Sequence, residues 1–302
     1  MAINFKNDIK YWLDNLEVLK PIPTRLAPKI KKDNSVKAVI FDIYGTLIIS
    51  SSGDIDQATM LDENMRKALV AGGYSEKEIT PERCAFLLEQ LPAKIKSNQE
   101  ELRKKGHPYP DIDIFKVWKE MFLESEKKGI LKISENISLT DIIFSFEILS
   151  NRVYPMPGMR EVLNKLKDMN IPLGIVSNAQ FYTPVIMNYF LTGKISNQQE
   201  IEGFDPDISV YSFKELRAKP DTVLFTKIKS QLKNKYSIEP EEAVFVGNDM
   251  LNDVYTATKN GLKTVLFSGD KRSLRTREND VRVKGISPDY IINDLNQLFE
   301  IL

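Results

Sequence analysis

The chain has 302 residues, 42% hydrophobic and 28% charged, which allows one large α/β domain with an insertion, or two domains. Its 42 Lys+Arg balance 42 Asp+Glu, so no global basic field exists to draw in nucleic acid or an anionic membrane. A single cysteine, Cys84, excludes an internal disulfide, and with no apolar run of membrane-spanning length and no signal-peptide core at the N-terminus the expected location is the cytoplasm.

Residues 1–35 read as an N-terminal helical extension and linker. Ile9–Lys20 carries Trp12, Leu13, Leu16 and Leu19 at helical spacing, which predicts an amphipathic helix packed on the main body. A basic connector interrupted by prolines follows. From Val36 the pattern changes to short apolar runs: VKAVIF (36–41), IPLGIV (171–176), ISVYSF (208–213), EAVFVG (242–247) and LKTVLF (262–267). Near-continuous rather than alternating runs suit a parallel sheet covered by helices on both faces. Between the first two runs, residues 55–153 read as helix after helix, beginning with QATMLDENMRKALVAG (57–72). The predicted fold is therefore α/β: a doubly wound, Rossmann-like parallel sheet formed by residues 36–54 and 154–302, with an inserted all-helical cap at 55–153. Phe86, Phe115, Trp118, Phe122, Phe144 and Phe146 should form the cap's own core, with Cys84 packing in a helix. His107 lies in a loop at a Pro-rich break between cap helices. The basic run KRSLRTRENDVRVK (271–284) lies beyond a strand end, where an anionic substrate tail is one reading and a solvated loop the plainer one.

In open α/β sheets ligands bind beyond the carboxyl ends of the strands, so the strand endings carry the chemistry. Asp42 ends the first strand before a turn, and a carboxylate there can act as a nucleophile. Gly45 permits the turn, and the Thr46 hydroxyl can donate to the acid or to a substrate. Ser177 and Asn178 end IPLGIV with neutral donors for substrate oxygens. Lys219 precedes Pro220-Asp221, which extends its backbone and aims an ammonium that would hold Asp42 ionised. Pro220 also suits the first turn of the following helix. Asp249 and Asp253 follow EAVFVG, and oxygen ligands at a strand end suit a hard cation such as Mg²⁺.

Taken in order, strand-Asp-x-x-Gly-Thr, helical insert, strand-Ser-Asn, Lys-Pro-Asp and strand-Gly-Asn-Asp-x-x-x-Asp, the sequence resembles the haloacid dehalogenase superfamily over residues 36–302. The resemblance implies a helical cap of the C1 kind and a small-molecule substrate. It casts Asp42 as the nucleophile that forms an aspartyl intermediate, with Tyr44, Thr46, Ser177 and Lys219 as catalytic groups. Thr46, Ser177, Asn178 and Lys219 would bind substrate, and Asp42, the Tyr44 carbonyl, Asp249 and Asp253 would hold Mg²⁺. Asn248 stands where the family's fourth motif has its usual aspartate, so either Asn248 or Asp249 could fill the first metal position.

Tyr44 is the main departure. The family's phosphatases have D-x-D-G-T, and their second acid protonates the leaving group and then activates water; a phenol is a poor base at neutral pH. The form D-x-Y-G-T is that of 2-haloacid dehalogenases, which need no metal. In those enzymes serine and asparagine replace the metal-binding aspartate of the fourth motif, whereas this chain keeps Asp249 and Asp253, and they carry a tyrosine where this chain has Phe225. Their cap supplies a halide-binding arginine, for which Arg66 is the candidate. The sequence thus favours a Mg²⁺-dependent phosphatase. Its alternatives are a metal-independent dehalogenase-type hydrolase and a catalytically weak phosphometabolite-binding protein.

Overall fold

The computed structural model describes residues 5–6, 9–52 and 61–302. One helical turn, α1 (Lys10–Asp14), precedes the buried strand β1 (Ala38–Phe41) and the short strand β2 (Ile48–Ser50). The helical insertion follows as α2 (Asp62–Ala71), α3 (Pro81–Lys104), α4 (Ile114–Lys127) and α5 (Leu139–Ser150). The chain returns through β3 (Val153–Pro155), α6 (Met159–Asp168), β4 (Leu173–Ser177) and α7 (Tyr182–Thr192). Next come β5 (Ser209–Tyr211), α8 (Ser212–Glu215), α9 (Val223–Tyr236) and β6 (Ala243–Gly247). A π-helical turn (Met250–Tyr255) leads into α10 (Thr256–Lys259), and β7 (Lys263–Phe267), β8 (Tyr290–Ile292) and α11 (Leu298–Ile301) complete the chain.

Among the described residues a six-stranded sheet runs β5-β4-β1-β6-β7-β8, every pairing parallel. β1 is central, and Ala38, Val39, Ile40 and Phe41 are all fully buried because helices cover both faces. Val39 and Phe41 join one apolar cluster while Ala38 and Ile40 join another, so a strand inside such a sheet cannot alternate with polar residues. The order turns outward in both directions from β1, which places the carboxyl ends of β4, β1 and β6 side by side at the switch point.

All five apolar runs contain a strand, each shorter than its run. The three-residue strands β8, β2 and β3 carry too little pattern to be read from sequence; β2 and β3 pair antiparallel on either side of the helical insertion. The expected boundary at 54/55 and the start of the helix expected from residue 57 lie outside the described residues. Trp118 packs on Phe146 at 5.4 Å and on Phe122 at 5.9 Å within the insertion, and Phe144 and Cys84 are also buried. Phe115 departs from the expected cap core and meets Phe181 of the sheet domain edge-to-face at 5.9 Å.

The N-terminal segment packs on the main body, but not as the long helix its spacing predicts. Helix α1 stops at Asp14, where the Asn15 side chain donates to the Tyr11 carbonyl at 2.8 Å. The chain beyond runs without regular structure, with Leu16 and Leu19 still packed on the core. Lys29 exchanges two backbone hydrogen bonds of 2.9 Å with Ile291, covering the open edge of β8. Among the described residues no helix is long and apolar enough to cross a membrane.

Gly174 in β4 marks a close approach: a β-carbon there would lie 2.2 Å from the Ile208 carbonyl oxygen and 2.7 Å from Ile40. Gly174→Ala is therefore expected to destabilise the fold by roughly 1–3 kcal/mol through overpacking. Chemical denaturation with an unchanged midpoint would contradict this.

Candidate active site

Asp42 follows β1 directly, its amide donating to the Val246 carbonyl of β6 at 2.9 Å, so the acid is fixed between two central strands. Gly45 turns the chain at φ +81°, and a β-carbon there would lie 2.5 Å from Cβ of Ser273. That close approach brings the loop after β7 against the Asp42 turn.

Lys219 reaches the same place from the loop before α9. Its Nζ donates to Asp42 Oδ1 at 2.8 Å and to Asp253 Oδ1 at 2.6 Å, and the lysine is only 5% exposed. Asn178, just past β4, accepts from the Lys219 amide at 2.8 Å and so holds the base of that side chain. The Lys219–Pro220 bond is cis, and α9 begins at Val223 rather than at Pro220.

Burial by itself would push the Lys219 ammonium toward neutral, but attraction to Asp253 and Asp42 outweighs it and lifts the pKa above the ordinary range. Burial raises the Asp253 carboxyl to about 7; Lys219 pulls it down, and the nearby Asp42 and Asp249 push it back up. The two directions agree physically. One ammonium is thus shared by two buried carboxylates, with Arg275 on the wall of the small cavity they line. Hard oxygen donors of this kind fit a divalent cation such as Mg²⁺, which is typically held by one or two carboxylates with water and substrate oxygens.

Asp249 lines the same cavity, and its amide donates to Asp253 Oδ2 at 2.9 Å, but its carboxylate is engaged elsewhere. Its carboxylate caps the π-helical turn, accepting from the Leu251 amide at 2.8 Å and the Asn252 amide at 3.2 Å. Arg277 grips the same carboxylate from the other side, with Nη2 2.6 Å from Oδ2 and Nε 3.1 Å from Oδ1. Of the expected set Asp42, Tyr44, Asp249 and Asp253, all four line the cavity, but only Asp42 and Asp253 share the Lys219 ammonium, while Asp249 is held by Arg277 and the helix cap. Among the described residues no group of three or more His, Cys, Asp or Glu is arranged to hold a metal. Asn248 also has other partners, since its amide accepts from the Thr46 hydroxyl at 3.2 Å and donates to the Ser273 carbonyl at 2.6 Å.

A small cavity of about 40 Å³ lies among Asp42, Tyr44, Asn178, Lys219 and Asp253. Thr46 and Ser177 are fully buried and do not line it. Three residues absent from the sequence-derived set do: Asn252, Ser273 and Arg275. Ser273 is fully buried, and its hydroxyl has no hydrogen-bond partner among the described residues. The basic run 271–284 is thus partly a wall of the site rather than a free loop. Its backbone pairs with the Asp249 segment, the Arg275 amide donating to Asn248 at 3.0 Å and the Met250 amide to Arg275 at 2.9 Å. The only sequence signal for this was a basic stretch following a strand.

Tyr44 is 7% exposed, and its hydroxyl lies 3.0 Å from the Thr183 hydroxyl on α7. Burial, then the Glu147 carboxylate on α5, hold the phenol well above its usual pKa, against a smaller pull from Thr183. Phe225 packs on Phe245 at 5.0 Å, away from the cavity. Arg66 pairs with Glu76 on the surface and lines neither this cavity nor the larger one beside it. His107 lies in the α3–α4 loop, half-buried, with Nδ1 3.1 Å from the Leu216 carbonyl.

A family model described as haloacid dehalogenase-like hydrolase matches residues 36–261. The chain is similar to a glyceraldehyde 3-phosphate phosphatase of Pyrococcus furiosus, 30% identical over 49% of this chain and 54% of that protein. It is also similar to a ribulose-1,5-bisphosphate 5-phosphatase of Halopiger xanaduensis, 26% identical over 49% of this chain and 56% of that protein. The chain thus spans about half the length of the curated relatives it matches. A solved structure, 2-haloacid dehalogenase from Pseudomonas syringae pv. Tomato DC3000, superimposes with a TM-score of 0.56 at 16% identity, covering 88% of this chain and 97% of that one. At that identity the likeness is one of fold.

Replacing Lys219 by methionine leaves two buried carboxylates face to face. Lys219→Met is expected to cost about 3–5 kcal/mol of stability, the range for breaking a buried pair from one side. A thermal midpoint equal to the parent's would show that the acids are not held close by this ammonium.

Proposed function

We propose that this chain, which belongs to the haloacid dehalogenase-like hydrolases, is a Mg²⁺-dependent phosphatase that cleaves a phosphate monoester through an aspartyl intermediate on Asp42. The observation that carries the reading is the Asp42–Lys219–Asp253 arrangement, a carboxylate at a strand end paired with a buried ammonium beside a second buried acid. Helices α2–α5 would serve as the family's cap of the C1 kind.

Lys219 occupies Oδ1 of Asp42 and leaves Oδ2 for attack on phosphorus. The bond from phosphorus to the ester oxygen then breaks, and the departing alkoxide takes up a proton. Water next attacks the phosphorus of the aspartyl phosphate, which restores the carboxylate and releases inorganic phosphate. Asn178 and the unpartnered Ser273 hydroxyl line the cavity where phosphoryl oxygens would sit, and both can donate to them. Thr46 acts indirectly, by holding the Asn248 amide. Mg²⁺, held by Asp42, Asp253 and the Tyr44 carbonyl, would offset the charge on the phosphoryl oxygens.

Tyr44 divides the two steps. Its raised pKa keeps the phenol protonated, so it cannot serve as the base that activates water. General base help is worth roughly 10²–10⁴-fold, so hydrolysis of the intermediate is the step that suffers. With p-nitrophenyl phosphate, whose leaving group needs no proton, rapid mixing is expected to show a burst of nitrophenolate close to one equivalent of enzyme, followed by slow turnover. A progress curve linear from the first turnover would place the slow step before the intermediate.

The tyrosine at 44 also favours a second reading, displacement of halide from a 2-haloacid. A parallel screen separates them. Phosphate release that needs Mg²⁺ and vanishes in Asp42→Asn supports the phosphatase, and halide release indifferent to chelator overturns it. Phosphometabolite binding that survives Asp42→Asn without turnover would instead mark a binding protein.

The metal assignment has its own test by calorimetry. Asp253→Asn is expected to weaken Mg²⁺ binding by about tenfold or more, as losses at metal sites do. Asp249→Asn keeps a capping oxygen and should change it little. The reverse ranking would return Asp249 to the metal.

A further inference from the structure

We infer that the alcohol half of the substrate is a largely apolar group of ring size or larger, seated in the cavity between the helical insertion and the sheet. This deepens the phosphatase reading and rests on it.

The cavity holds about 510 Å³, against about 40 Å³ beside Asp42. Asn178 lines both, so the two spaces meet at that residue. On the core side Ala179 and Ala218, the neighbours of Asn178 and Lys219, line the larger cavity with small side chains. The insertion supplies bulky apolar walls: Leu91, Ile112, Ile114, Trp118, Ile143 and Phe146. A ligand site of this volume accommodates far more than a three-carbon alcohol.

Several of the polar groups on the walls are committed elsewhere, while Gln99 of α3 lines the cavity half-buried. Gln180 donates from Nε2 to the Ile112 carbonyl at 2.9 Å and accepts the Ile114 amide on Oε1 at 3.0 Å, so it clamps the α3–α4 loop. Glu147 accepts from the Tyr182 hydroxyl. Asp111 caps its own neighbour, taking the Ile112 amide at 2.8 Å. Lys96 is exposed at the rim. A polyol placed here would bury hydroxyls with few partners, which disfavours it, whereas an alkyl or aryl body loses nothing on leaving water.

The test is a chain-length series on the intact protein with Mg²⁺: n-alkyl phosphates from ethyl to octyl, phenyl and 1-naphthyl phosphate, and glycerol phosphates as polyol controls. kcat/KM is expected to climb about fourfold per methylene until the cavity is filled, following 0.8 kcal/mol for each buried CH₂. Glycerol phosphate should fall below propyl phosphate. Ile95→Trp, which fills the cavity from the half-buried face of α3, should move the plateau to shorter chains. The matching alkyl and naphthyl phosphonates, which cannot be hydrolysed, give a binding series by calorimetry that does not depend on turnover. Turnover with a flat chain-length profile, or with a preference for polyols, would overturn the cavity assignment and leave the phosphatase standing. Phosphonate affinity that rises with chain length in the absence of any ester hydrolysis would do the opposite.

Discussion

A single ammonium set between two buried carboxylates governs the rest of this structure. Removing three charges from water is costly, and pairs of this kind add little net stability compared with apolar packing. The protein surrounds the cost with supports: Asn178 holds the Lys219 backbone, and the Phe245 ring lies 5.4 Å beneath Nζ. The strand order follows from the same requirement. Asp42 and Asp253 can face one lysine only if β1 and β6 are neighbours, with β4 on the other side of β1 to bring in Asn178. What remains open at the site is a set of hard carboxylate oxygens on one lysine, and that donor chemistry is the physical basis for proposing a cation there.

Much of this was visible in the sequence, for a definite reason. Asp42 stands where an apolar run gives way to polar residues, Lys219 is marked by the Lys-Pro-Asp that follows a run and Asp253 by its spacing after the EAVFVG strand, and strand ends in a parallel sheet converge. The residues that escaped notice lack such a marker. Arg277 claims Asp249 from 28 positions away in sequence, so an acid read as a metal ligand is occupied by a salt bridge and a helix cap. Ser273 reaches the cavity only because Gly45 has no side chain to keep it out, a contact set by tertiary packing. Helix α1 illustrates the converse. The spacing of Leu13, Leu16 and Leu19 correctly marks apolar residues that pack on the body, but packing does not require a helix, and the chain continues past Asp14 without one.

Tyr44 changes meaning once its partners are known. From sequence it is a missing base. In the fold it belongs to the apolar cluster shared by sheet and insertion, and its hydroxyl meets Thr183. Thr183 accepts from the Gln180 amide at 3.2 Å, and Gln180 clamps the loop carrying Ile112 and Ile114. A short aspartate at this position would be too small to fill the Tyr44 site, and its charge would lie near both Glu147 and Asp42. Tyr44 is therefore a packed link between the Asp42 turn, α7 and the helical insertion.

That link bears on how chemistry and recognition are joined in the proposed reaction. The nucleophile turn reaches the insertion through Tyr44, Thr183 and Gln180, while Asn178 touches both the catalytic cavity and the larger apolar one. An occupant of the larger space would press on Gln180, Ala179 and Ala218, each adjacent in sequence or by hydrogen bond to a group that positions Lys219 or Tyr44. Filling the apolar cavity and setting the geometry at Asp42 would then be one event. An enzyme lacking its second acid has particular use for such coupling, because orientation supplied by binding is the contribution to rate that does not depend on proton transfer.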